Sequence, residues 1–140
     1  MRQRDKLKLW LALCEDWDVQ EGEKSENFLT ARAAAGTLAC AAFDEEVAQA
    51  MVAENSVLSL KTLLETGSDA LIHRALVIIL EMTTLRKREV AFHLMEGGII
   101  SALGVVANSG NTELRKLGTE AAKVLLEVVN ENSCNKLTNS

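Results

Sequence analysis

Apolar residues recur along this chain at the three- and four-residue spacing of helices, and polar clusters or glycines interrupt them at regular intervals. Leu7, Trp10, Leu11 and Cys14 fall at i, i+3, i+4 and i+7, the stripe of an amphipathic helix. From Asn27 to Phe43 the run is Ala-rich and nearly uncharged, which predicts a helix able to pack on several sides, stopped at Asp44. Asp44-Glu45-Glu46 places a capping side chain and two acids where free amides and the helix dipole favour negative charge, so a shorter helix follows with Val47, Ala50 and Met51 on one face. Asn55-Ser56 is the next cap, and Val57, Leu60, Leu63 and Leu64 form the stripe of a third helix that ends by Gly67.

The same order then recurs. Ser68-Asp69 opens the long apolar run ALIHRALVIILEMTT, residues 86–96 form a shorter helix, Gly97-Gly98 is a break, and residues 99–107 form a third helix closed by Asn108-Ser109-Gly110. Superposing Met51-Val52-Ala53 on Leu94-Met95-Glu96 carries Leu60 onto Leu103, an offset of about 43 residues. Thr112 begins ELRKLGTEAAKVLLEVV, a third copy of the long helix. The expected organisation is one all-α domain over residues 1–140. Residues 1–14 end a preceding repeat, 15–26 form an acidic loop, 27–66 and 69–107 are two full repeats, 112–130 is a third long helix, and 131–140 is a polar tail expected to fray. A period in the forties with three helices per unit predicts an armadillo-like right-handed α-α superhelix of about three repeats, partial at both ends.

Composition narrows the function classes. The chain has no proline, 4% aromatic residues and 48% hydrophobic residues, enough for a continuous helical core. A net charge of −5 and the lack of a clustered basic surface argue against nucleic acid, which needs phosphate neutralisation. No apolar run approaches the roughly 20 residues of a membrane span, and the basic start before Leu9 to Leu13 is too short in its apolar part for a signal peptide. Cys14, Cys40 and Cys134 are odd in number and widely spaced, which fits no disulfide framework or metal motif and points to a reducing cytoplasm. His73 and His93 stand apart from any carboxylate or cysteine at ligand spacing, Cys40 has no neighbouring base, and Gly97-Gly98 lacks the lysine and further glycine of a nucleotide loop. No catalytic, metal or cofactor site is expected.

Two strings carry a family resemblance. ARAAAGTLACAA resembles the third helix of an armadillo repeat, and HLMEGGIISALGVV resembles the turn and second helix. Together with DKLKLWLALCED and LIHRALVIILEM, they are similar to the C-terminal armadillo repeats of the UCS-domain myosin co-chaperones, over residues 5–107. The resemblance implies a cytoplasmic co-chaperone fragment that binds the myosin motor domain and assists its folding. Its heat-shock chaperone would bind through a TPR region that has no counterpart in this chain. The acidic stretch after Cys14 and the tail after Val129 depart from the family pattern, so a generic armadillo adaptor or motor-assembly scaffold binding a peptide segment stands as the alternative.

In a stacked solenoid the long helices expose one stripe, and residues one turn apart on it form a ligand ladder. Arg32, Gly36 and Cys40 make this stripe in the first long helix. Aligning Leu38 with Leu80 places Arg74, Ile78 and Met82 in the second, with Lys116 as the third-helix counterpart. Trp17 and Val19 in the acidic loop are a further recognition element or fold back onto the helices. Uncovered ends of so short a stack are expected to favour self-association.

Overall fold

The computed structural model describes residues 3–15 and 25–138, with side chains over 6–15 and 25–130. Trp17, Val19, most of the acidic loop and the side chain of Cys134 lie outside the described residues. Eight helices follow in chain order, and no strand occurs among the described residues. They are α1 (Gln3–Cys14), α2 (Glu26–Ala41), α3 (Glu45–Ala53), α4 (Val57–Leu64), α5 (Asp69–Thr84), α6 (Arg88–Glu96), α7 (Ile99–Val106) and α8 (Thr112–Thr138).

Local chemistry sets the starts of these helices. Ser25 accepts a hydrogen bond from Phe28 N at α2, Ser68 from Leu71 N at α5, and Asn111 from Glu113 N and Leu114 N at α8. These caps recur every 43 residues and begin the three long helices in step. At α3, Asp44 Oδ1 accepts from Glu46 N and Val47 N. Asp44→Ala and Ser25→Ala are each expected to cost about 1 kcal/mol, read as a lower urea midpoint at unchanged slope. No loss in either would show that tertiary packing alone fixes those helix starts. At its far end α8 continues past residue 130 to Thr138, where a frayed tail was expected. No glycine or proline lies between Gly118 and Thr138, so nothing in the chain forces the helix to stop.

Packing assembles the helices in tiers. α5 lies between α2 and α8, so the three long helices form one layer, while α4 packs on α1 and α7 to form a second. α3 meets α6 along the outside, and α6 also packs on α7 and α8. The tiers are therefore α1–α2, α3–α4–α5 and α6–α7–α8, with each long helix last in its tier. The core runs continuously through the stack, from Leu7, Leu11 and Cys14 through Leu38, Leu60, Leu76 and Ile79 to Leu103, Ala121 and Leu125. No single helix among the described residues is both long and apolar enough to cross a membrane.

Four residues of positive φ turn the chain between helices: Asn55 (φ 55°) after α3, Gly67 (φ +80°) after α4, Arg86 (φ 52°) after α5, and Gly98 (φ +84°), which starts α7. Gly97 beside it has an ordinary helical φ, but a Cβ there would overlap the side chain of Val57. The glycine pair thus meets two separate demands, a close approach and a left-handed turn.

Candidate functional site

The layer of long helices has one side packed on the other helices and one side open. On α2 the open side carries Leu29, Arg32, Ala33, Gly36, Thr37 and Cys40, and Leu29 is 55% exposed. On α5 it carries the half-buried His73, Arg74, Val77 and Glu81, and on α8 the exposed Lys116, Thr119, Glu120 and Lys123.

Five of the seven stripe residues predicted from sequence lie on this side. Arg32, Cys40 and Lys116 are exposed, and Gly36 and Arg74 are partly so. The Arg74 guanidinium crosses the bare backbone of Gly36, with Cζ and Nε 3.8 Å from where a Cβ would stand. This ties the α2 and α5 stripes together across the helix interface.

Ile78 and Met82 do not belong to the stripe, because both are fully buried at 0% exposure. The reason is a change of phase. Buried Ala31, Ala34, Ala35 and Leu38 recur as Ile72, Ala75, Leu76 and Ile79, at the same internal spacing and 41 residues on, although the caps are 43 apart. Aligning Leu38 with Leu80 misses the packing register by one residue, or 100° around a helix. In the packing register Arg32, Gly36 and Cys40 correspond to His73, Val77 and Glu81. The sequence reading missed these three, and the repeated burial spacing is the signal that finds them.

Electrostatically the open side is mixed. His73 Nε2 lies 3.6 Å from Glu113 Oε1, which links α5 to α8 at their N-terminal ends, and Asn111 Nδ2 donates to Asp69 Oδ2 at 3.1 Å beside it. Such exposed contacts hold register more than they add stability. Arg32, Arg74, Lys116 and Lys123 alternate there with Glu81, Glu113 and Glu120, so the face carries charges of both signs.

Among the described residues, no group of His, Cys, Asp and Glu is arranged to hold a metal. Cys14 is buried, and burial, with a smaller contribution from Glu15, pushes its thiol up to about 12, the opposite of an activated nucleophile. His93 on α6 has its Nε2 buried without a hydrogen-bond partner, and burial, partly offset by Glu96, holds its pKa below the usual value. The imidazole is therefore a neutral packing group.

A second feature lies at the other edge of the stack. A cleft of about 490 Å³ opens between α1, the end of α2 and α3, lined by Leu7 and Trp10, by Cys40, Ala41, Phe43 and Asp44, and by Glu46, Val47 and Ala50. Phe43 is 59% exposed at its mouth.

No family model matches the chain, and no curated protein sequence does. Among solved structures it is similar to a designed armadillo repeat protein, at TM-score 0.68 and 24% sequence identity, over 85% of this chain and 46% of the designed one. The chain spans under half the length of that protein. At this identity the likeness is one of fold, and it agrees with the tiered packing: α1 to α8 form an armadillo-type α-solenoid.

Proposed function

We propose that the chain is a cytoplasmic protein-interaction module that takes a polypeptide along the open side of α2, α5 and α8, and that it performs no catalysis. The observation that carries this reading is the combined stripe of Leu29, Arg32, Gly36, Cys40, Arg74, Val77 and Lys116. Small and apolar contacts alternate there with cations on three aligned helices. A repeat of this kind presents one surface made by successive tiers, so an extended or helical segment can touch all three at once. The UCS-like strings ARAAAGTLACAA and HLMEGGIISALGVV favour, as the finer reading, a co-chaperone segment that binds a partly folded myosin motor domain.

The test uses purified myosin motor domain under mild heat stress, with aggregation followed by light scattering. The chain is expected to bind the motor domain and suppress its aggregation. The triple variant Arg32→Glu, Arg74→Glu, Lys116→Glu is expected to bind at least about tenfold more weakly, a difference of ~1.4 kcal/mol. No binding of the motor domain overturns the myosin reading and leaves a peptide-binding adaptor. Undiminished binding by the triple variant overturns the open side as the site.

A further inference from the structure

On the open side, α2 and α5 meet at a bare patch of backbone. Gly36 has no side chain there, and the half-buried Arg74 lies across it, with Cζ and Nε 3.8 Å from where a Cβ would stand. An arginine side chain in open water keeps its full rotamer freedom, whereas one in contact with a helix backbone has lost part of it, and its head group has a fixed place. Arg32 stands one turn before Gly36 on the same face of α2, about 6 Å along the axis, a distance that an arginine side chain spans. Two guanidinium groups therefore border one patch.

Neither guanidinium has a partner among the described residues. Arg32 and Arg74 make no ion pair and no hydrogen bond there, while His73 faces Glu113 Oε1 at 3.6 Å and Asp69 accepts from Asn111 at 3.1 Å on the same side. After Glu26, α2 has no acidic residue. Glu81, the acid that α5 shows on this side, lies about two turns beyond Arg74. The charges of the face are thus separated, with cations at the α2–α5 seam and acids toward α8 and the far end of α5.

The shape of the group says what it takes. A guanidinium is a planar fork whose parallel N–H groups match the two oxygens of a carboxylate. A phosphate would bring a second negative charge toward Glu81, Glu113 and Glu120 on the same face, so a singly charged carboxylate suits the seam better. Val77, one turn beyond Arg74, and Cys40, one turn beyond Gly36, give the patch a small apolar rim for the stem of such a side chain.

We propose that the α2–α5 seam at Gly36 is a subsite for a glutamate or aspartate side chain of the bound polypeptide, gripped by the Arg74 fork with Arg32 beside it. The subsite rests on the open side being the binding face, and it adds that the partner segment is acidic where it crosses α2 and α5.

Cys40 allows the seam to be probed without a partner, since its thiol is exposed whereas Cys14 is buried. In the full chain with Cys134→Ser, Cys40 is equilibrated by thiol–disulfide exchange with equimolar β-mercaptopropionate and its N-methylamide, and the two mixed disulfides are counted by intact mass spectrometry. The same chain unfolded in urea gives the intrinsic ratio of the two thiols. In the folded chain the acid is expected to be favoured at least about fivefold beyond that ratio, because the tether holds the carboxylate beside the seam at high effective concentration. Arg74→Gln should return the ratio to within about twofold of the unfolded reference, and Arg74→Lys should keep part of the preference, since it retains the charge without the fork. Arg32→Gln should lower the preference by a smaller factor, and added salt should weaken it.

No preference for the acid in the folded chain, or a preference that survives Arg74→Gln unchanged, would overturn the subsite. A preference of more than about tenfold for β-mercaptoethylphosphonate over β-mercaptopropionate would overturn the carboxylate in favour of a phosphorylated residue. If the acid preference is present while the Arg32, Arg74, Lys116 triple variant binds the motor domain undiminished, the subsite stands and the open side falls as the motor-domain site. If the preference is absent while the triple variant loses binding, the subsite alone falls.

Discussion

Ile78→Ala is expected to destabilise the chain by about 2 to 5 kcal/mol, the range for removing a large aliphatic side chain from a site that cannot collapse. Ile78 is fully buried on α5, the helix held between α2 and α8 and packed on α4, so the cavity opens at the centre of the stack. Native domains are stable by only about 5 to 15 kcal/mol, and the variant should therefore show a large drop in urea midpoint with little change in slope. Val77→Ala, one position away and half-exposed, should cost under about 1.5 kcal/mol by the same measurement. If Ile78→Ala were nearly neutral in stability and instead weakened partner binding, the phase assigned to α5 would be wrong.

Gly97→Ala should be the next most damaging single change. The backbone there tolerates alanine, since φ is −76°, but the added methyl would overlap the Val57 side chain at the joint between α4 and α6–α7. Val57 is β-branched and 3% exposed, and so has little freedom to move aside. Overpacking of this kind costs about 1 to 3 kcal/mol. Val57→Ala removes two of the three overlapping carbons, and the double variant should recover part of the loss, a coupling that a double-mutant cycle measures. Additive losses would mean that the joint relaxes elsewhere. Gly98→Ala tests the other half of the pair, because φ +84° penalises any Cβ by about 1 kcal/mol whatever its neighbours, and Val57→Ala should not rescue it.

Much of this architecture is legible from residue order because it depends on local chemistry. Ser25, Ser68 and Asn111 cap three helices at a fixed interval, Asp44 caps a fourth, and the stripe Val57, Leu60, Leu63, Leu64 is wholly buried as its spacing requires. Each of these signals acts within one or two turns. The overextended α8 marks the limit of such reasoning, since Asn-rich polarity after Val129 suggested an end while no residue there breaks a helix. The candidate site was legible in part. Arg32, Gly36, Cys40, Arg74 and Lys116 lie on the open side, whereas Ile78 and Met82 are core and Val77 and Glu81 hold their places.

The chain's order of residues determined where helices start, how often they recur and that they stack in a solenoid, because caps, breaks and period are properties of short segments. It did not determine the rotation of the long helices about their own axes. α2 is so rich in alanine, and α5 so apolar from Leu76 to Leu80, that several faces of each could pack equally well by composition. Only the neighbours decide which stripe is covered. α2 and α8, closing on α5 from either side, turned Ile78 and Met82 inward and left Arg74, Val77 and Glu81 at the surface. The cleft beside α3 is likewise invisible along the chain, because it lies between the packed faces of three successive helices and exists only once they are assembled.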